Sequence, residues 1–458
     1  MVVRSPSLPF QFRQTSTRME MMYQYLWRTG ALGREFTLTD GRSVRVVSPG
    51  LHNTDAGPDF SNARIKIDGI LWAGNIEIHL KASDWFRHRH NDDPAYDSII
   101  LHLVGVADKP VRRKDGSPIP TAIFPIPVEV ASLYARLTSP AGDIRCGADV
   151  ATLPALVKED WLESLAMERI QEKASAILEE NRNLCGDWEQ TCFVRFARAL
   201  GFGLNGVPFE ILARSIPLKY IHRHADNPFQ IEAIVFGQAG MLDSSCRIFD
   251  DRYQALCREY FFLMRKYGLL PMNQSIWKFA RTRPNNFPHR RLAFLCKALE
   301  GGFSMMRALI DGASDRDTIA GLFSWSLSGF WRDHFSFDTQ ALRISETLSR
   351  ASLDSIIINF AAPVLYAYAS ERGDIQLAEK AIGLLEKTDP EDNRFTRRWE
   401  TIGIKAGNAL RSQALIQLHK CYCDEHRCLD CRFCNRMIAK VAKESMPSYG
   451  NRNPVLWE

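Results

Sequence analysis

Hydrophobic and polar residues alternate with a period of two along much of residues 1–145. This alternation is typical of β-strands, in which successive side chains point to opposite faces of a sheet. Two alternating runs meet at Asp40 and Gly41, and a second pair meets at Asp68 and Gly69. Asp-Gly between two alternating runs is a strong signal for a tight hairpin. The pattern therefore predicts a β-hairpin at Asp40 and Gly41, and the end of a strand at Asp68 and Gly69.

A helix and a buried strand complete the pattern of the first domain. Residues 18–30 carry an apolar stripe at helical spacing and end at Gly30. Residues 97–106 are almost continuously apolar, as expected for a central strand that is covered on both faces. We therefore predict a mixed α/β domain with a mixed sheet over residues 1–145.

The period changes near residue 155, where the spacing of apolar residues becomes helical. Segments such as "EDWLESLAMERIQEKASAILEEN" and "RYQALCREYFFLMRKYG" are rich in good helix formers, and strand signals nearly vanish. We predict a larger all-α domain over residues 146–420, followed by a cysteine-rich, metal-binding tail over residues 421–458. In fold class the chain is thus α+β or α/β.

Composition narrows the class of protein only moderately. Hydrophobic residues make up 45% and charged residues 24% of the 458 positions, which is typical of a globular domain. The longest apolar runs are short or interrupted, and the first residues contain no continuous apolar segment. We therefore expect no membrane partner and a cytoplasmic location. The net charge of +5 is compatible with an anionic partner, and the sequence identifies no protein partner.

Three ionisable residues alternate in the run at 70–82. Glu77, His79 and Lys81 share one face of the predicted strand, and Asp59 precedes the neighbouring strand. Ionisable groups on an inner strand are costly to desolvate unless they are paired, bound to metal or solvated. Two carboxylates on adjacent strands would suit Mg²⁺ or Mn²⁺, and a nearby Lys or His could position water or phosphate. This layout suits metal-assisted phosphodiester hydrolysis. The alternative is that these residues form the solvated polar face of an edge strand and have no chemical role.

The motif "PDF…GNIEIH" resembles the signature of the PD-(D/E)xK nuclease superfamily. The resemblance implies a restriction-endonuclease-like core in which Asp59 and Glu77 bind the metal and Glu20 assists. His79 stands where that superfamily usually has lysine. Lys81, farther along the same face, is therefore a candidate for supplying the ammonium group.

The polar segment after this strand contains further metal-binding residue types. His88, His90 and Asp93 could form a metal or proton-transfer cluster. The alternative is a polar loop with no chemical role.

Five of the eleven cysteines crowd into residues 421–434. Cys423, Cys428, Cys431 and Cys434 have spacings suited to one zinc ion or a [4Fe–4S] cluster, and a reduced cysteine-rich tail is the alternative. The other six cysteines are scattered along the chain, at Cys146, Cys185, Cys192, Cys246, Cys257 and Cys296. Most of them are expected to be small core residues.

Basic and aromatic residues are interleaved over residues 277–297. This composition suits a single-stranded nucleic acid, and Lys278, Arg281 and Arg283 are the candidate contacts. For Arg290 and Arg291 we favour a structural role, in which they bridge helices inside the α-domain.

Several short segments spread over nearly the whole chain, among them "GPDF", "GNIEIH", "FGQAGML" and "RPNNFP", resemble the uncharacterised domain of unknown function 2851 family. That resemblance implies an architecture and no activity. Two functions remain open at this stage. The first is a divalent-metal-dependent nuclease or phosphodiesterase, and the alternative is a non-catalytic nucleic-acid-binding or scaffold protein with a degenerate nuclease-like core and a structural metal site.

Overall fold

The computed structural model describes residues 10–31, 33–139, 144–243, 250–280, 282, 286–340 and 344–445, with side chains from residue 17 onwards. The chain divides into two compact units. Met1–Val157 and Cys421–Glu458 form the first, which we call the N-terminal unit, and Lys158–Lys420 form the second, the helical unit. The cysteine-rich segment therefore belongs to the same unit as Asp59 and Glu77.

One seven-stranded sheet forms the centre of the N-terminal unit. Its strands are β1 (Glu35–Thr37), β2 (Ser43–Ser48), β3 (Leu51–His52), β4 (Phe60–Ile67), β5 (Ile70–Lys81), β6 (Ile99–Val106) and β7 (Thr121–Ile123). Their order is β1-β2-β4-β5-β6-β7, with β3 paired to β4. The β1–β2, β2–β4 and β4–β5 pairs are antiparallel, and the β5–β6 and β6–β7 pairs are parallel. A bridge between Leu38 and Ala122 joins the two edges, so the sheet curls.

The predicted hairpin at Asp40 and Gly41 is confirmed, and a second hairpin forms at Asp68 and Gly69, where the end of a strand was predicted. β1 and β2 pair across Asp40 and Gly41, and β4 and β5 pair across Asp68 and Gly69. Asp68 has a φ of 46° and Gly69 a φ of 84°. Two successive left-handed residues match the twist of an antiparallel pair, and Asp and Gly are the residues that tolerate this conformation.

The helices follow the predicted pattern. In chain order they are α1 (Phe10–Thr29), α2 (Asp84–Arg87), α3 (Val128–Leu137), α4 (Gly147–Ala151), α5 (Ala155–Asn183), α6 (Trp188–Leu200), α7 (Gly206–Arg214), α8 (Leu218–His222), α9 (Pro228–Gln238), α10 (Asp251–Tyr267), α11 (Pro288–Leu299), α12 (Met305–Gly312), α13 (Arg316–Gly321), α14 (Arg350–Ile356), α15 (Ala362–Arg372), α16 (Ile375–Lys387), α17 (Arg394–Glu400), α18 (Ala409–Leu418) and α19 (Arg432–Ser445). The helical unit is mostly helical but not all-α, because β8 (His334–Ser336) and β9 (Thr339–Gln340) form a small ribbon in it.

Arg290 and Arg291 lie inside the helical unit, as the favoured structural role requires, but their partners are backbone carbonyls and an aromatic ring. Both side chains are almost fully buried in the helical unit. Arg290 donates hydrogen bonds to the carbonyl oxygens of Trp331 and Ser345. The Arg291 guanidinium lies 4.1 Å from the ring centre of Phe202. These arginines bind backbone carbonyls and an aromatic face because those groups replace the water lost on burial.

A single stretch within the described residues, Arg350–Arg372, has the length and apolar composition of a membrane-crossing helix. In its most apolar window 61% of the residues are buried inside the protein. Core helices of this kind pass the same test, so the stretch is weak support for a membrane span.

α1 packs against the sheet and positions one face of the candidate site. Its buried residues Met22 and Leu26 form the predicted apolar stripe, and the helix contacts β5. It approaches β6 so closely that a Cβ on Gly105 would lie 2.5 Å from the Tyr23 hydroxyl oxygen and 2.9 Å from the Leu80 carbonyl oxygen. Glycine at 105 therefore sets the spacing between helix and sheet.

We expect Gly105→Ala to destabilise the protein by about 1–3 kcal/mol, the usual cost of overpacking. Tyr23→Phe removes the closest atom and should recover part of this loss in the double variant. Chemical denaturation measures both effects. Gly383→Ala is the control, because no atom crowds a Cβ at this helical position and alanine favours helices. Equal stability of Gly105→Ala and the wild type would contradict the close packing.

Candidate metal centre

The candidate site is built on β5, which lies between β4 and β6 in the sheet. Four consecutive residues of this strand, Ile76 to His79, are buried. Glu77 and His79 are only 5% and 2% exposed. They lie on one face of the strand because they are two residues apart. The sequence thus places a carboxyl group and an imidazole where water is largely excluded.

Two hydrogen bonds link Asp59 to β5. The Asp59 N–H donates to Glu77 Oε2 over 3.2 Å, and the Ile78 N–H donates to Asp59 Oδ2 over 2.8 Å. Gln24 of α1 donates to Asp59 Oδ1 over 2.8 Å. Within the described part of the chain, the ion-pair contacts of Glu77 are with histidines, and Asp59 and Glu77 have none with lysine or arginine. Glu77 is therefore buried and Asp59 half-buried, and neither has an ion pair with lysine or arginine among these residues.

A third carboxyl group, that of Glu20 on α1, faces the same region. Its Oε1 atom is buried and lacks a hydrogen-bond partner. Burial, with the nearby charges of Asp84 and Asp59, raises the pKa of Glu20 to about 7. Burial and then the Glu77 charge raise the pKa of Asp59 to about 7, and burial raises the pKa of Glu77 to about 8. Without a cation, these carboxyl groups therefore retain protons near neutral pH.

Four imidazoles extend the site on its other side. His79 Nδ1 lies 2.8 Å from His102 Nε2, and His79 Nε2 lies 3.1 Å from His88 Nδ1. His90 Nε2 lies 3.3 Å from Glu77 Oε1. One donor atom each from His79, His88 and His90 lies within 4.8 Å of the other two, close enough to bind one metal ion.

The connection between β5 and β6 brings these histidines together. It carries α2 and two single turns, and it returns the chain to a parallel strand. Arg89 has a φ of 62°, a left-handed conformation between His88 and His90. The His90 ring stacks on Tyr96 at 3.8 Å and contacts Trp85 edge-on. Aromatic packing thus fixes His90, while the left-handed residue redirects the backbone.

Burial keeps the imidazoles neutral. It lowers the pKa of His79 to about 2 and that of His102 to about 3, and it also lowers the pKa values of His88 and His90. A neutral imidazole retains a nitrogen lone pair, which is the form that binds metal. The site therefore combines carboxyl oxygens with neutral ring nitrogens.

The structure brings Glu20, Asp59, Glu77 and His79 together. Lys81 is not brought to the carboxyl groups. It is exposed at the end of β5, and its charge acts on Asp108. Four residues along a strand span about 13 Å, so Lys81 lies far from Glu77. His79, rather than a lysine, is the nitrogen base beside the carboxyl groups.

Asp93 is not one of the three side chains whose donor atoms lie together, although its charge acts on His90. Its side chain accepts a hydrogen bond from the Ala95 N–H and caps the turn Pro94–Tyr96. His102 and Gln24 were missed in the sequence analysis. His102 lies opposite Glu77 in the parallel pairing of β5 and β6. In the sequence, His102 is a lone histidine in an apolar strand, and this pattern does not reveal which residue of β5 it lies opposite.

The other predicted site residues lie elsewhere. Cys423, Cys428, Cys431 and Cys434 belong to the N-terminal unit and precede or begin α19. Lys278 of the helical unit is exposed, and its backbone N–H donates to Asn205 Oδ1. The other two predicted nucleic-acid contacts, Arg281 and Arg283, fall outside the described residues.

The family described as "Protein of unknown function (DUF2851)" matches residues 20–394 of the chain. Because this match covers most of the sequence, the chain belongs to that family. Comparisons with curated proteins and with solved structures found no match. The matched range contains Glu20, Asp59 and the β5 residues, and it ends before the cysteine-rich segment.

The raised carboxyl pKa values predict how stability depends on pH when no cation is present. A carboxyl group whose pKa is higher in the folded state stabilises the protein fully below its unfolded pKa. This contribution is lost as the pH rises through the folded value, at up to about 1.4 kcal/mol per pH unit for each retained proton. In EDTA, we expect the wild type to lose stability between pH 7 and 8.5. The lowered histidine pKa values change the stability only at lower pH, below about 6.5.

Glu77→Gln removes one of these protons and should reduce the loss between pH 7 and 8.5. Thermal unfolding in EDTA at several pH values measures the difference. Glu129→Gln, on the exposed surface of α3, is the matched control and should behave like the wild type. Identical pH dependence of Glu77→Gln and the wild type would show that Glu77 is ionised in the folded state.

Proposed function

We propose that this protein is a divalent-metal-dependent nuclease or phosphodiesterase that acts on nucleic acid. Its N-terminal unit would be a core similar to that of the PD-(D/E)xK nuclease superfamily. The observation that carries the proposal is the convergence of Glu20, Asp59 and Glu77: Glu77 is buried, the other two are half-buried, and within the described residues none of the three forms an ion pair with arginine or lysine. Such a group is electrostatically unfavourable when ionised, and a divalent cation would relieve that repulsion.

The donor atoms fit Mg²⁺ or Mn²⁺ on the carboxyl side. Asp59 and Glu77 would hold the cation, since hard cations bind carboxylate oxygens. The Glu20 Oε1 atom lacks a hydrogen-bond partner and is available as a further oxygen ligand or as a base. The motif "PDF…GNIEIH" supports the same assignment, because it places Asp59 and Glu77 at the acidic positions of the superfamily signature.

The imidazole side offers a second set of donors. Glu77 Oε1 lies 3.5 Å from His79 Nε2 and 3.3 Å from His90 Nε2, whereas Glu77 Oε2 accepts from Asp59. Glu77 therefore borders both the carboxyl and the imidazole donors. Ring nitrogens suit transition metals such as zinc or iron better than magnesium. This side of the site favours Mn²⁺ over Mg²⁺ as the more effective cofactor.

A bound divalent cation would lower the pKa of a water bound to it and would offset the negative charge of a phosphate. Glu20, with its pKa raised to about 7, is suited to accept a proton from water near neutral pH. His79 is fixed between His102 and His88 and remains neutral, so it orients neighbouring groups and supplies no positive charge. Arg89 is exposed on the adjacent connection and would attract the phosphate backbone.

The alternative function is a non-catalytic nucleic-acid-binding or scaffold protein with a degenerate nuclease-like core. The placement of Lys81 away from the carboxyl groups favours it. A second observation is an exposed basic and aromatic strip on α10, formed by Arg258, Phe262, Arg265 and Lys266. Together with Lys278, such a strip suits single-stranded nucleic acid. In this alternative, zinc or an iron–sulfur cluster at the cysteines would be structural.

Cation binding is tested directly by thermal unfolding. Mn²⁺ and Mg²⁺ should raise the unfolding midpoint of the wild type, because ligands that bind the folded state stabilise it by mass action. At a cation concentration one hundred times Kd the gain is about 2.7 kcal/mol. Asp59→Asn should lose most of this gain, while Glu129→Gln should retain it. Melting curves that do not change with either cation would contradict the site.

Hydrolysis is tested on single- and double-stranded DNA and RNA with Mn²⁺. Glu77→Gln should lower the cleavage rate at least about 100-fold, because a ligand to the cation is removed. His79→Lys restores the usual superfamily residue and should preserve or raise the rate. Glu129→Gln is the control. Nucleic-acid binding measured alongside separates the two functions, since binding without cleavage by the wild type would support the non-catalytic alternative.

A further inference from the structure

The histidine side of the candidate centre has the geometry of a separate metal site. His79 Nε2 lies 3.1 Å from His88 Nδ1. Glu77 Oε1 lies 3.5 Å from His79 Nε2 and 3.3 Å from His90 Nε2. Ligand atoms about 2.0–2.1 Å from a tetrahedral zinc ion lie about 3.3 Å from one another. The three distances therefore match edges of such a tetrahedron, and the three histidine donor atoms all lie within 4.8 Å of one another.

One of these ring nitrogens is left without a hydrogen bond. His90 Nε2 is buried and makes none within the part of the chain that the structure describes. The atom that faces it is Glu77 Oε1, a carboxyl oxygen. A buried polar atom without a hydrogen bond costs free energy. A metal ion that accepts the nitrogen lone pair would remove this cost.

His102 is placed to orient His79 for metal binding. His79 Nδ1 lies 2.8 Å from His102 Nε2. When His79 binds a metal through Nε2, its proton is on Nδ1, which then donates to His102. Metal-bound histidines usually donate their second N–H to such an acceptor, and this bond fixes the tautomer and the ring. The Trp85 ring contacts both His90 and His102 edge-on, so packing holds these rings in place before a metal binds.

The histidine cluster is accessible from one side. His79 is buried, His90 is half-buried and His88 is exposed. His88 Nε2 lies 3.4 Å from an Arg87 guanidinium nitrogen, so Nδ1 is the His88 nitrogen that faces the other ligands. A metal ion can therefore enter from solution past His88, and its removal and replacement can be measured on the folded protein.

We propose that the three histidines and the carboxyl group beside them bind a transition-metal ion of the zinc class. The ligands are His79, His88, His90 and Glu77. Imidazole nitrogens suit zinc and similar ions, whereas magnesium requires oxygen ligands. The ion is therefore distinct from the hard cation proposed at Asp59 and Glu77. Glu77 is shared, because its Oε1 faces the imidazoles and its Oε2 accepts from the Asp59 N–H.

This inference goes beyond the proposed hydrolysis, because binding of the ion does not require any reaction. The competing description of the same geometry is a chain of hydrogen-bonded histidines without a metal. Hydrogen bonds between neutral rings would account for the contacts of His79 with His88 and His102. They would not account for the buried His90 nitrogen that faces a carboxyl oxygen without bonding to it.

Titration of the full chain with Zn²⁺ and Co²⁺, after removal of metal with a chelator, tests the ligand set. Wild type should bind Co²⁺ with the visible absorption bands of a four-coordinate ion. His88→Ala should lose these bands and weaken Zn²⁺ binding at least about 100-fold, since changes outside the ligands already cost about 10–100-fold. His222→Ala, at the exposed end of α8, is the matched control and should bind like the wild type. Cobalt bound by cysteines absorbs in the near ultraviolet, and that absorption should be the same in His88→Ala.

Two variants separate this site from the proposed hydrolytic one. Asp59→Asn should lose the thermal stabilisation by Mg²⁺ and keep Zn²⁺ binding, while His88→Ala should show the converse. Normal Zn²⁺ binding without Mg²⁺ stabilisation or hydrolysis would contradict the proposed function and leave this site standing. Loss of Zn²⁺ binding in Asp59→Asn together with unchanged binding in His88→Ala would place the ion at the carboxyl groups and overturn the inference.

Equal Zn²⁺ affinity of His88→Ala and the wild type would also overturn it, as would a wild type without the visible cobalt bands; the histidines would then form only a hydrogen-bonded chain. Modification of the wild type with diethyl pyrocarbonate covers the case in which His88→Ala does not fold. His88 should react at least about tenfold more slowly with Zn²⁺ bound, because the metal occupies its nitrogen lone pair. The reaction rate of His222 should stay constant. Equal rates for His88 with and without Zn²⁺ would exclude it as a ligand.

Discussion

The burial or partial burial of carboxyl groups without a lysine or arginine ion pair, within the described residues, is the constraint on which the N-terminal unit depends. Removing a carboxyl group from water is costly unless hydrogen bonds, protons or a cation compensate. Here the Asp59 carboxyl accepts from Ile78 and Gln24, and Glu77 accepts from Asp59. These bonds position the oxygens, but they do not neutralise the charge. The raised pKa values of Glu20, Asp59 and Glu77 are the direct result.

The sheet makes this arrangement rigid. The β4–β5 hairpin fixes Asp59 beside Glu77, and the parallel β5–β6 pair fixes His102 opposite Glu77. α1 adds Glu20 and Gln24 from above the sheet. Because each group belongs to a regular element, the donors are held without a large loss of side-chain entropy when a cation binds. The connection with His88 and His90 is the irregular part, and aromatic packing around Trp85 orders it.

Much of the fold was predictable because local patterns carry it. The hairpin at Asp40 and Gly41, the buried strand Ile99–Val106 and the change to helices were all predicted from the sequence. The ribbon of β8 and β9 was missed because its strands of three and two residues are too short to show alternation. Of the site, Asp59, Glu77 and His79 were expected from their spacing, and Glu20 from the resemblance to the PD-(D/E)xK nuclease superfamily. The position of Lys81 required the strand length, which places it at the exposed end of β5.

The sequence by itself determined which residues alternate, where turns form and which residue types can bind metal, because these properties depend on near neighbours in the chain. Tertiary structure alone decided which distant residues meet. His102 reaches His79 through the parallel register of two strands. Cys428 reaches the carbonyl oxygen of Leu137 at the end of α3, the helix against which α19 packs. Such contacts depend on the topology of the whole unit, so they cannot be derived from the spacing of residues along the chain.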